Sequence, residues 1–280
     1  MEQARSMMQS SPENRALWEI RLNGGDGVKA WLQAVGVNDA LRLHPKEAAI
    51  AIALAIGHAP AGSAGRTCSC GATFDARGVH LLTCPNGGGP TIRHNKLRDV
   101  LADCALAASA KVCCEVPIGP PQQGGNPRLA DVVAYAPFLG SRPVAMDVRV
   151  IHNATDSRIA ACPDPLRLLD TKAREKVVRF RQMAEERGMQ FTPCIADVFG
   201  SLHADFAVVL NKLADNAEVP PEFPDWVPSR KASYWWQAIS VAIQRGNALC
   251  ALGHLAKSTG PREVRTISGR LTYIRSTTAF

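Results

Sequence analysis

The sequence predicts a mixed α/β protein: a central mixed sheet flanked by helices, with a small cysteine-rich knuckle before it and helical extensions at both ends. Residues 93–215 alternate between helical and strand periodicities, which predicts the sheet domain. Residues 58–92 are rich in Gly, Ala, Pro and Ser around several cysteines, which predicts a linker that carries the knuckle. Residues 1–57 and 216–280 contain helical patterns, in the second case after a run of prolines.

The composition is typical of a globular protein. The 280-residue chain is 46% hydrophobic and 20% charged. Its start has no apolar segment of the secretory-signal type, and its most apolar run, AAIAIALAIG at residues 48–57, is about half as long as a membrane-spanning helix. We therefore expect no membrane partner and a reducing compartment, in which the nine cysteines serve metal binding or catalysis rather than disulfides.

The net charge of +7 is concentrated at the end of the chain. Residues 226–280 contain eight Lys and Arg, among them Arg230 and Lys231, against Glu263 as the one acid, whereas the remainder is electrically balanced. One interpretation is that this region binds a nucleic acid, and the other is a solvated basic tail. Within it, SYWWQAISVAIQRGNALCALGHLAK predicts an amphipathic helix, after a PPEFPDWVP stretch that excludes regular structure.

The knuckle, CSCGATFDARGVHLLTC at residues 68–84, offers Cys68, Cys70, His80 and Cys84. Three thiolates and an imidazole form a tetrahedral set suited to zinc, and His80 and Cys84 can share one helical face. The single residue between the first two cysteines is fewer than the usual two to four. Because all four ligands come from the protein, we expect the zinc to be structural; the alternative is four unrelated small or buried residues.

The remaining elements follow from periodicity and from helix start and stop residues. DGVKAWLQAVG and HPKEAAIAIALAIG predict N-terminal helices, the second with Pro45 in its first turn and Gly57 at its end. In the main domain we expect strands and helices in alternation. The predicted strands are 111–117, 128–135, 143–151 and 191–198, and the predicted helices are 93–108 and 170–187, the latter with Asp170 as its cap and Gly188 as its stop.

The two central strands bring two carboxylates together if they form a hairpin whose turn centres on Leu139. In that register Asp131 lies directly opposite Asp147 on one face of the sheet, with Arg149 on the same face. Opposed carboxylates repel, and magnesium or manganese would supply the missing positive charge. The alternative is two solvated strand carboxylates. Arg149 would contact phosphate or form a structural ion pair.

The 170–187 helix carries a stripe formed by Ala173, Val177, Phe180 and Ala184. Lys176 lies at the border of this stripe, whereas Glu175 points to the opposite side and is expected to meet water. Lys176 can therefore reach from the packed face toward the sheet edge. The alternative is a lysine that covers apolar surface with its stem.

Together these motifs resemble the C-terminal restriction-like endonuclease, of the PD-(D/E)XK type, of site-specific non-LTR retrotransposons. In that family a CCHC zinc knuckle precedes the nuclease core, usually behind a reverse transcriptase. The resemblance covers residues 60–215 and depends on the order and spacing of several motifs. These motifs are CSCG with HLLTC, RHNKLRD, CCEVP, LADVV, MDVRVIHN, REKVVRF and GMQFTPCIADVFG.

The resemblance implies a nuclear DNA endonuclease that nicks its target to support target-primed reverse transcription, with one structural zinc. It implies metal-binding acids at Asp131 and Asp147, and Asp131, Asp147, Lys176 and Glu115 as the catalytic residues. Arg93 and His94 match a pair expected near the nucleic acid. The implied partners are DNA, element RNA and a reverse transcriptase in cis or in trans, since the sequence itself contains no acidic polymerase motif.

Two positions depart from the family pattern without removing a ligand. Ala130 stands where proline often precedes the first metal-binding acid, and Phe180 stands where tyrosine is common four residues after the lysine. The chain would then be a truncated, separately encoded or degenerate copy of such an element. Two further classes remain open: a nucleic-acid-binding module that does not cut, and an interaction protein that keeps the fold alone.

Overall fold

The computed structural model describes residues 20, 24–25, 27–119, 127–161 and 164–259, and the backbone of two further strands at 262–265 and 271–274. The chain forms two compact units. The sheet unit comprises residues 1–42 and 94–244, and the knuckle unit comprises residues 43–93 and 245–280. Each unit draws on two separated stretches, whereas the sequence prediction divides the chain into four consecutive segments, 1–57, 58–92, 93–215 and 216–280.

Eight α-helices are present in the described residues. They are α1 (Gly27–Ala30), α2 (Pro45–Ala55), α3 (Val79–Thr83), α4 (Gly89–Ala107), α5 (Asp156–Ala161), α6 (Arg167–Glu185), α7 (Ala204–Asn216) and α8 (Arg230–Lys257). Short 3-10 helices follow α1 and the second strand, at Trp31–Gln33 and Pro137–Leu139. No helix in the described stretches is both long enough and apolar enough to span a bilayer.

A four-stranded mixed sheet forms the centre of the sheet unit, as the sequence predicts. Its strands are β1 (Lys111–Gly119), β2 (Arg128–Tyr135), β3 (Val144–Ile151) and β4 (Gln190–Asp197), in that spatial order. The first two pairings are antiparallel, and β3 with β4 is parallel. The short strands β5 (Arg262–Arg265) and β6 (Leu271–Ile274) pair with each other.

The two faces of the sheet pack against different helices because successive strand residues point to opposite sides. One face meets α4, α7 and the first part of α8 in the larger core. The sheet residues of that core are Val132, Ala134, Val144, Met146, Val148, Cys194 and Ala196. The other face meets α6 through Phe180 and Ala184 in one cluster and Ala173 in another.

Two helices begin earlier than the sequence predicts. Helix α6 begins at Arg167, so Asp170 lies inside its first turn rather than at its cap. Asp164, which precedes the N-cap residue Leu166, binds the backbone at the start of the helix. Its Oδ1 accepts the N–H groups of Leu166 and Arg167 at 3.0 and 3.2 Å. Helix α4 begins at Gly89 and thus includes glycine and proline in its first turn, where an unpaired N–H is tolerated.

Helix α8 forms where the sequence predicts a helix, and its first part is buried in a core rather than solvated. Tyr234, Trp235, Ile239 and Ile243 are all buried in the larger core of the sheet unit. The helix carries buried residues on more than one side, so its pattern is that of a central helix rather than of an amphipathic surface helix. The basic residues after 259 lie outside the residues whose side chains are described.

Within the knuckle unit, α2 begins as predicted with Pro45 at its first position. His44 precedes it, and the Glu47 carboxylate accepts the His44 backbone N–H at 3.0 Å. The N-terminal end of α4 and the C-terminal part of α8 approach closely at Gly246, where a Cβ would lie only 2.8 Å from the Cα of Arg93. Any side chain at Gly246 would therefore push the two helices apart.

Candidate functional site

Strands β2 and β3 pair in the hairpin register that the sequence predicts. The strands β2 and β3 pair Val132 with Met146 and Ala134 with Val144, so Asp131 is in register with Asp147 one position further on. Their flanking residues Val132 and Val148 belong to the larger core on the other face. This register brings the two carboxylates near each other, and the negative charge of Asp131 acts on Asp147. Asp147 is contacted from α6 by Lys176, whereas Asp131 is contacted from α4 by His94.

Both oxygens of Asp131 have partners in the sheet unit. Its Oδ2 accepts the backbone N–H of Val148 at 2.6 Å, which takes the place of a ladder hydrogen bond at this point of the hairpin. Its Oδ1 lies 3.1 Å from Nε2 of His94, a residue of α4. This contact with Asp131 raises the pKa of His94, so the imidazole is held more readily in its protonated form.

Asp147 is buried, and its Oδ2 lies 2.5 Å from Nζ of Lys176. Burial raises the pKa of the Asp147 carboxyl, and the negative charge of Asp131 acts in the same direction. Lys176 acts in the opposite direction but does not cancel the effect of burial. The pair of carboxylates thus lies in surroundings that favour added positive charge.

Lys176 reaches the sheet because of its place on α6. The buried residues Ala173 and Phe180 lie three and four residues away and anchor the helix against the sheet face. The Lys176 side chain is 17% exposed, and its Nζ lies 5.1 Å from the centre of the Phe180 ring. The stem is therefore packed, as expected of a lysine that covers apolar surface, while the ammonium group is aimed at Asp147.

Glu115 stands on the edge strand β1, and its ion pair is with Arg98 rather than with a group at the aspartates. It would be in register with Asp131, yet the pairing of β1 with β2 skips this position. Its backbone has a φ of 55°, a region that a residue with a side chain seldom adopts, and its carboxylate contacts Arg98 at 2.5 Å. The structure places Glu115 at the margin of the site, with its side chain 59% exposed.

Glu175 is exposed, as predicted, and it also contacts Arg149. Nη1 of Arg149 lies 3.6 Å from Oε2 of Glu175, and the other carboxylate oxygen contacts Lys172 at 2.5 Å. Of the two interpretations of Arg149, the ion pair is therefore the one seen. Its side chain is still 39% exposed, beside the two aspartates on the same sheet face.

Arg93 lies where direct contact with a nucleic acid is impossible, which corrects the prediction for this residue. It is 3% exposed, and its Nη1 donates to the Leu82 carbonyl at 3.2 Å and to Oδ1 of Asn247 at 3.1 Å. A buried guanidinium needs such acceptors, and Arg93 joins parts of the knuckle unit instead. His94, the other member of the pair, is the one that reaches the aspartates.

Arg230 and Lys231 also have partners within the protein. Arg230 donates to the carbonyls of Phe223 and Pro220 at 2.9 Å and lies 3.0 Å from Asp225, so it holds the proline-rich segment at the start of α8. Lys231 lies 3.6 Å from Glu218 and is 43% exposed. Of the two residues, Lys231 has the more accessible charge.

Arg98 is a site residue that the sequence reasoning missed. It follows His94 by four residues on α4, so the two share one side of that helix. This spacing was a signal available in the sequence, but the partner of Arg98, Glu115, is fixed by the tertiary arrangement of β1 and α4. His94 of α4 and Lys176 of α6 each contact one of the aspartates, whereas Arg98 contacts Asp99 and Glu115.

A second site lies in the knuckle unit, where Cys68, Cys70, His80 and Cys84 come together. Their ligand atoms all lie within 4.8 Å of one another, and Sγ of Cys70 is 3.4 Å from Nε2 of His80. Zinc–sulfur and zinc–nitrogen bonds of about 2.3 and 2.0–2.1 Å require donor–donor distances of roughly 3.5–3.8 Å in a tetrahedron. The cluster can thus hold a structural metal such as zinc.

Local hydrogen bonds place the histidine ligand. The Asp75 carboxylate accepts the backbone N–H groups of Arg77, Val79 and His80 at 2.8–3.0 Å, which satisfies the open start of α3. Gly78 precedes the helix with a φ of 75°. This turn presents His80 and Cys84, one helical turn apart, toward the two cysteines before it.

The thiols of the cluster differ in acidity. A hydrogen bond from the Ala72 backbone is the main cause that lowers the pKa of Cys70. Burial, with the neighbouring thiols, raises the pKa of Cys84 to about 11. Three thiolates side by side therefore require a cation, because without one Cys84 retains its proton at neutral pH.

No protein-family model matches the chain, and no curated protein sequence matches it.

Proposed function

We propose that the sheet unit is a restriction-like endonuclease core that hydrolyses DNA phosphodiester bonds with magnesium or manganese bound at Asp131 and Asp147. The observation that carries the proposal is the strand register that brings these two carboxylates near each other, with Lys176 of α6 in contact with Asp147 at 2.5 Å. Two acids and a lysine around one point are the groups that metal-assisted phosphoryl transfer requires.

The residues fit a hard divalent cation. Carboxylate oxygens are the ligands that magnesium and manganese prefer, and each oxygen keeps a free lone pair beyond its present contact. Burial raises the pKa of Asp147, and the charge of Asp131 adds to this effect, so positive charge between the two would be stabilising. When bound, the cation would polarise the scissile phosphate and lower the pKa of the attacking water.

The side chains of the protein supply the rest of the chemistry. Lys176 holds its ammonium group beside Asp147, where it would stabilise negative charge that develops on the phosphate. His94 donates to Asp131 and fixes the orientation of that carboxylate. Arg149, beside Asp147 on the strand and 39% exposed, is available to a neighbouring phosphate despite its ion pair with Glu175.

We place this activity in a non-LTR retrotransposon, where nicking of the target DNA primes reverse transcription. The order of the motifs supports this assignment, and the cysteine cluster in front of the sheet domain agrees with the CCHC knuckle of that family. We infer zinc as the metal of that cluster, since three thiolates and an imidazole match its preferred ligands. The proposed partners are DNA and a reverse transcriptase, and the proposed location is the nucleus.

A nicking assay tests the proposal. The full chain is incubated with supercoiled plasmid in magnesium, in manganese and in chelator, and DNA binding is measured in parallel by gel shift. We expect open-circular product with either metal and none in chelator. Binding without nicking in both metals would identify a binding-only module, and absence of both would leave an interaction protein with this fold; either result overturns the nuclease proposal.

A further inference from the structure

One histidine beside the cysteine cluster belongs to neither proposed set of ligands. His254 lies near the C-terminal end of α8 and is 4% exposed. Its Nδ1 is 3.4 Å from Sγ of Cys68. Its ring lies against Phe74 and His80, with centroid distances of 6.2 and 6.1 Å. Sequence reasoning could not find it, because 186 residues separate His254 from Cys68.

The neighbours of His254 determine which ring nitrogen carries the proton. Cys68 becomes a thiolate when a metal binds, and a thiolate can only accept a hydrogen bond. Nε2 is buried without a hydrogen-bond partner among the described residues. The imidazole also interacts with the backbone of Cys84. Because Nδ1 is the nitrogen that lies 3.4 Å from the Cys68 sulfur, a proton on Nδ1 is the one that can be donated to the thiolate.

Two further contacts hold the end of α8 against the knuckle. Nη2 of Arg66 donates to the carbonyls of Leu255 and Ser258 at 3.2 and 3.0 Å. Thr67 and Thr259 exchange backbone hydrogen bonds at 2.9 and 3.0 Å. Arg66 and Thr67 immediately precede Cys68, and their partners follow His254 by one to five residues, so these contacts hold the two segments together beside the Cys68–His254 pair.

We propose that His254 is a positioning residue of the metal cluster, which donates an Nδ1–H hydrogen bond to the Cys68 thiolate and so makes the last turns of α8 part of the metal site. A donor to a bound thiolate disperses its charge and fixes its orientation. The inference rests on metal binding by the cluster, and it is independent of the nuclease activity. Loss of such an outer hydrogen bond typically lowers metal affinity about 10- to 100-fold.

The test compares zinc affinity, measured by competition with a chromophoric chelator, across variants of the full chain. His254→Leu keeps volume and removes the donor, so we expect a loss of about 10- to 100-fold. His254→Asn keeps a donor N–H near the position of Nδ1 and should remain close to wild type. His58→Leu, at an exposed histidine of the same unit, is the matched control and should not change affinity.

Ligand-deleted backgrounds separate a hydrogen bond from simple packing. In Cys68→Ala the acceptor is absent, so adding His254→Leu should cost nothing further, whereas in Cys70→Ala it should cost the full factor. Equal losses in both backgrounds, or a His254→Asn variant as weak as His254→Leu, would overturn the inference by showing a packing role. If His254→Leu binds zinc as tightly as wild type, the His254 inference is wrong but the metal cluster stands. If the wild-type chain binds no zinc, both the inference and the metal cluster are wrong.

Discussion

Asp147 is held in surroundings that disfavour its charged form. Its carboxylate is buried beside Asp131, and Lys176 offsets only part of the resulting rise in pKa. A raised carboxyl pKa is the property expected of the proposed cation site before a cation binds. The bound cation, rather than other protein groups, would then stabilise the buried negative charge. The raised pKa of Asp147 also makes the free energy of unfolding depend on pH.

Replacing Asp147 with asparagine should therefore stabilise the metal-free fold at neutral pH. The folded state raises the pKa of Asp147, so the stability that this group contributes is present below its unfolded pKa of about 3.9 and is lost as pH rises through the folded value. Urea unfolding in chelator should show a higher free energy for Asp147→Asn at pH 7, with the difference shrinking toward pH 4. Asp215→Asn, at an exposed position on α7, should show no such trend; a destabilised Asp147→Asn at pH 7 would contradict the assignment.

Lys176 is the second residue whose role can be isolated. Lys176→Met keeps the apolar stem that packs near Phe180 and removes the ammonium group that contacts Asp147. We expect nicking under saturating DNA to fall about 10²- to 10³-fold, as for loss of one donor to a transition-state charge. Lys212→Met, at an exposed lysine on α7, should retain activity. Normal cutting by Lys176→Met would show that the lysine is structural.

At the scale of elements, the sequence predicts the hairpin, α6 and the helical character of α8, but it does not predict the burial of α8. The β2–β3 register follows from strict alternation in VAMDVRV, because a slip by one residue would turn Val144, Met146 and Val148 away from the core. The Lys176 position follows from helical spacing alone. For α8, by contrast, apolar residues occur on several sides, and periodicity does not tell how many partners cover them.

The core position of α8 has a direct consequence for stability. Ile243 is fully buried in the larger core of the sheet unit. Ile243→Ala should lower the free energy of unfolding by about 2–5 kcal/mol, because it removes buried methyl groups and leaves a cavity. Val208→Ala, at a 55% exposed position on α7, should change it by less than about 0.5 kcal/mol. If Ile243→Ala and Val208→Ala both change the free energy of unfolding by the same small amount in thermal or urea unfolding, the core position of α8 is wrong.

Deleting residues 226–280 is thus no test of DNA binding, since the deletion removes core side chains such as Trp235 and Ile239. Charge counting located the excess of basic residues correctly but could not show that Arg230 is used to hold Pro220 and Phe223. A count of basic residues therefore predicts a charged surface only when those side chains are known to be exposed.

At the scale of the whole chain, both candidate sites combine residues far apart in sequence. The aspartate site draws on α4, the hairpin and α6, and the cysteine cluster is approached by His254 from near the end of α8. Local motifs predicted the four residues of the cysteine cluster and the strand register that brings the two aspartates near each other, since both depend on short-range spacing. The supporting residues Arg98 and His254 were not predicted, because their partners are set by packing between distant segments.

The central claim is that phosphodiester hydrolysis takes place at the paired aspartates of the sheet unit. The measurement that tests it most directly is the rate of plasmid nicking in magnesium or manganese by Asp131→Asn and Asp147→Asn, each compared with wild type and with Asp215→Asn at matched, saturating protein. The account predicts a loss of about 100-fold or more in each site variant, since a bound metal contributes several kcal/mol to transition-state stabilisation. DNA binding should be retained and Asp215→Asn should cut normally. Nicking by either site variant at the wild-type rate would contradict the account.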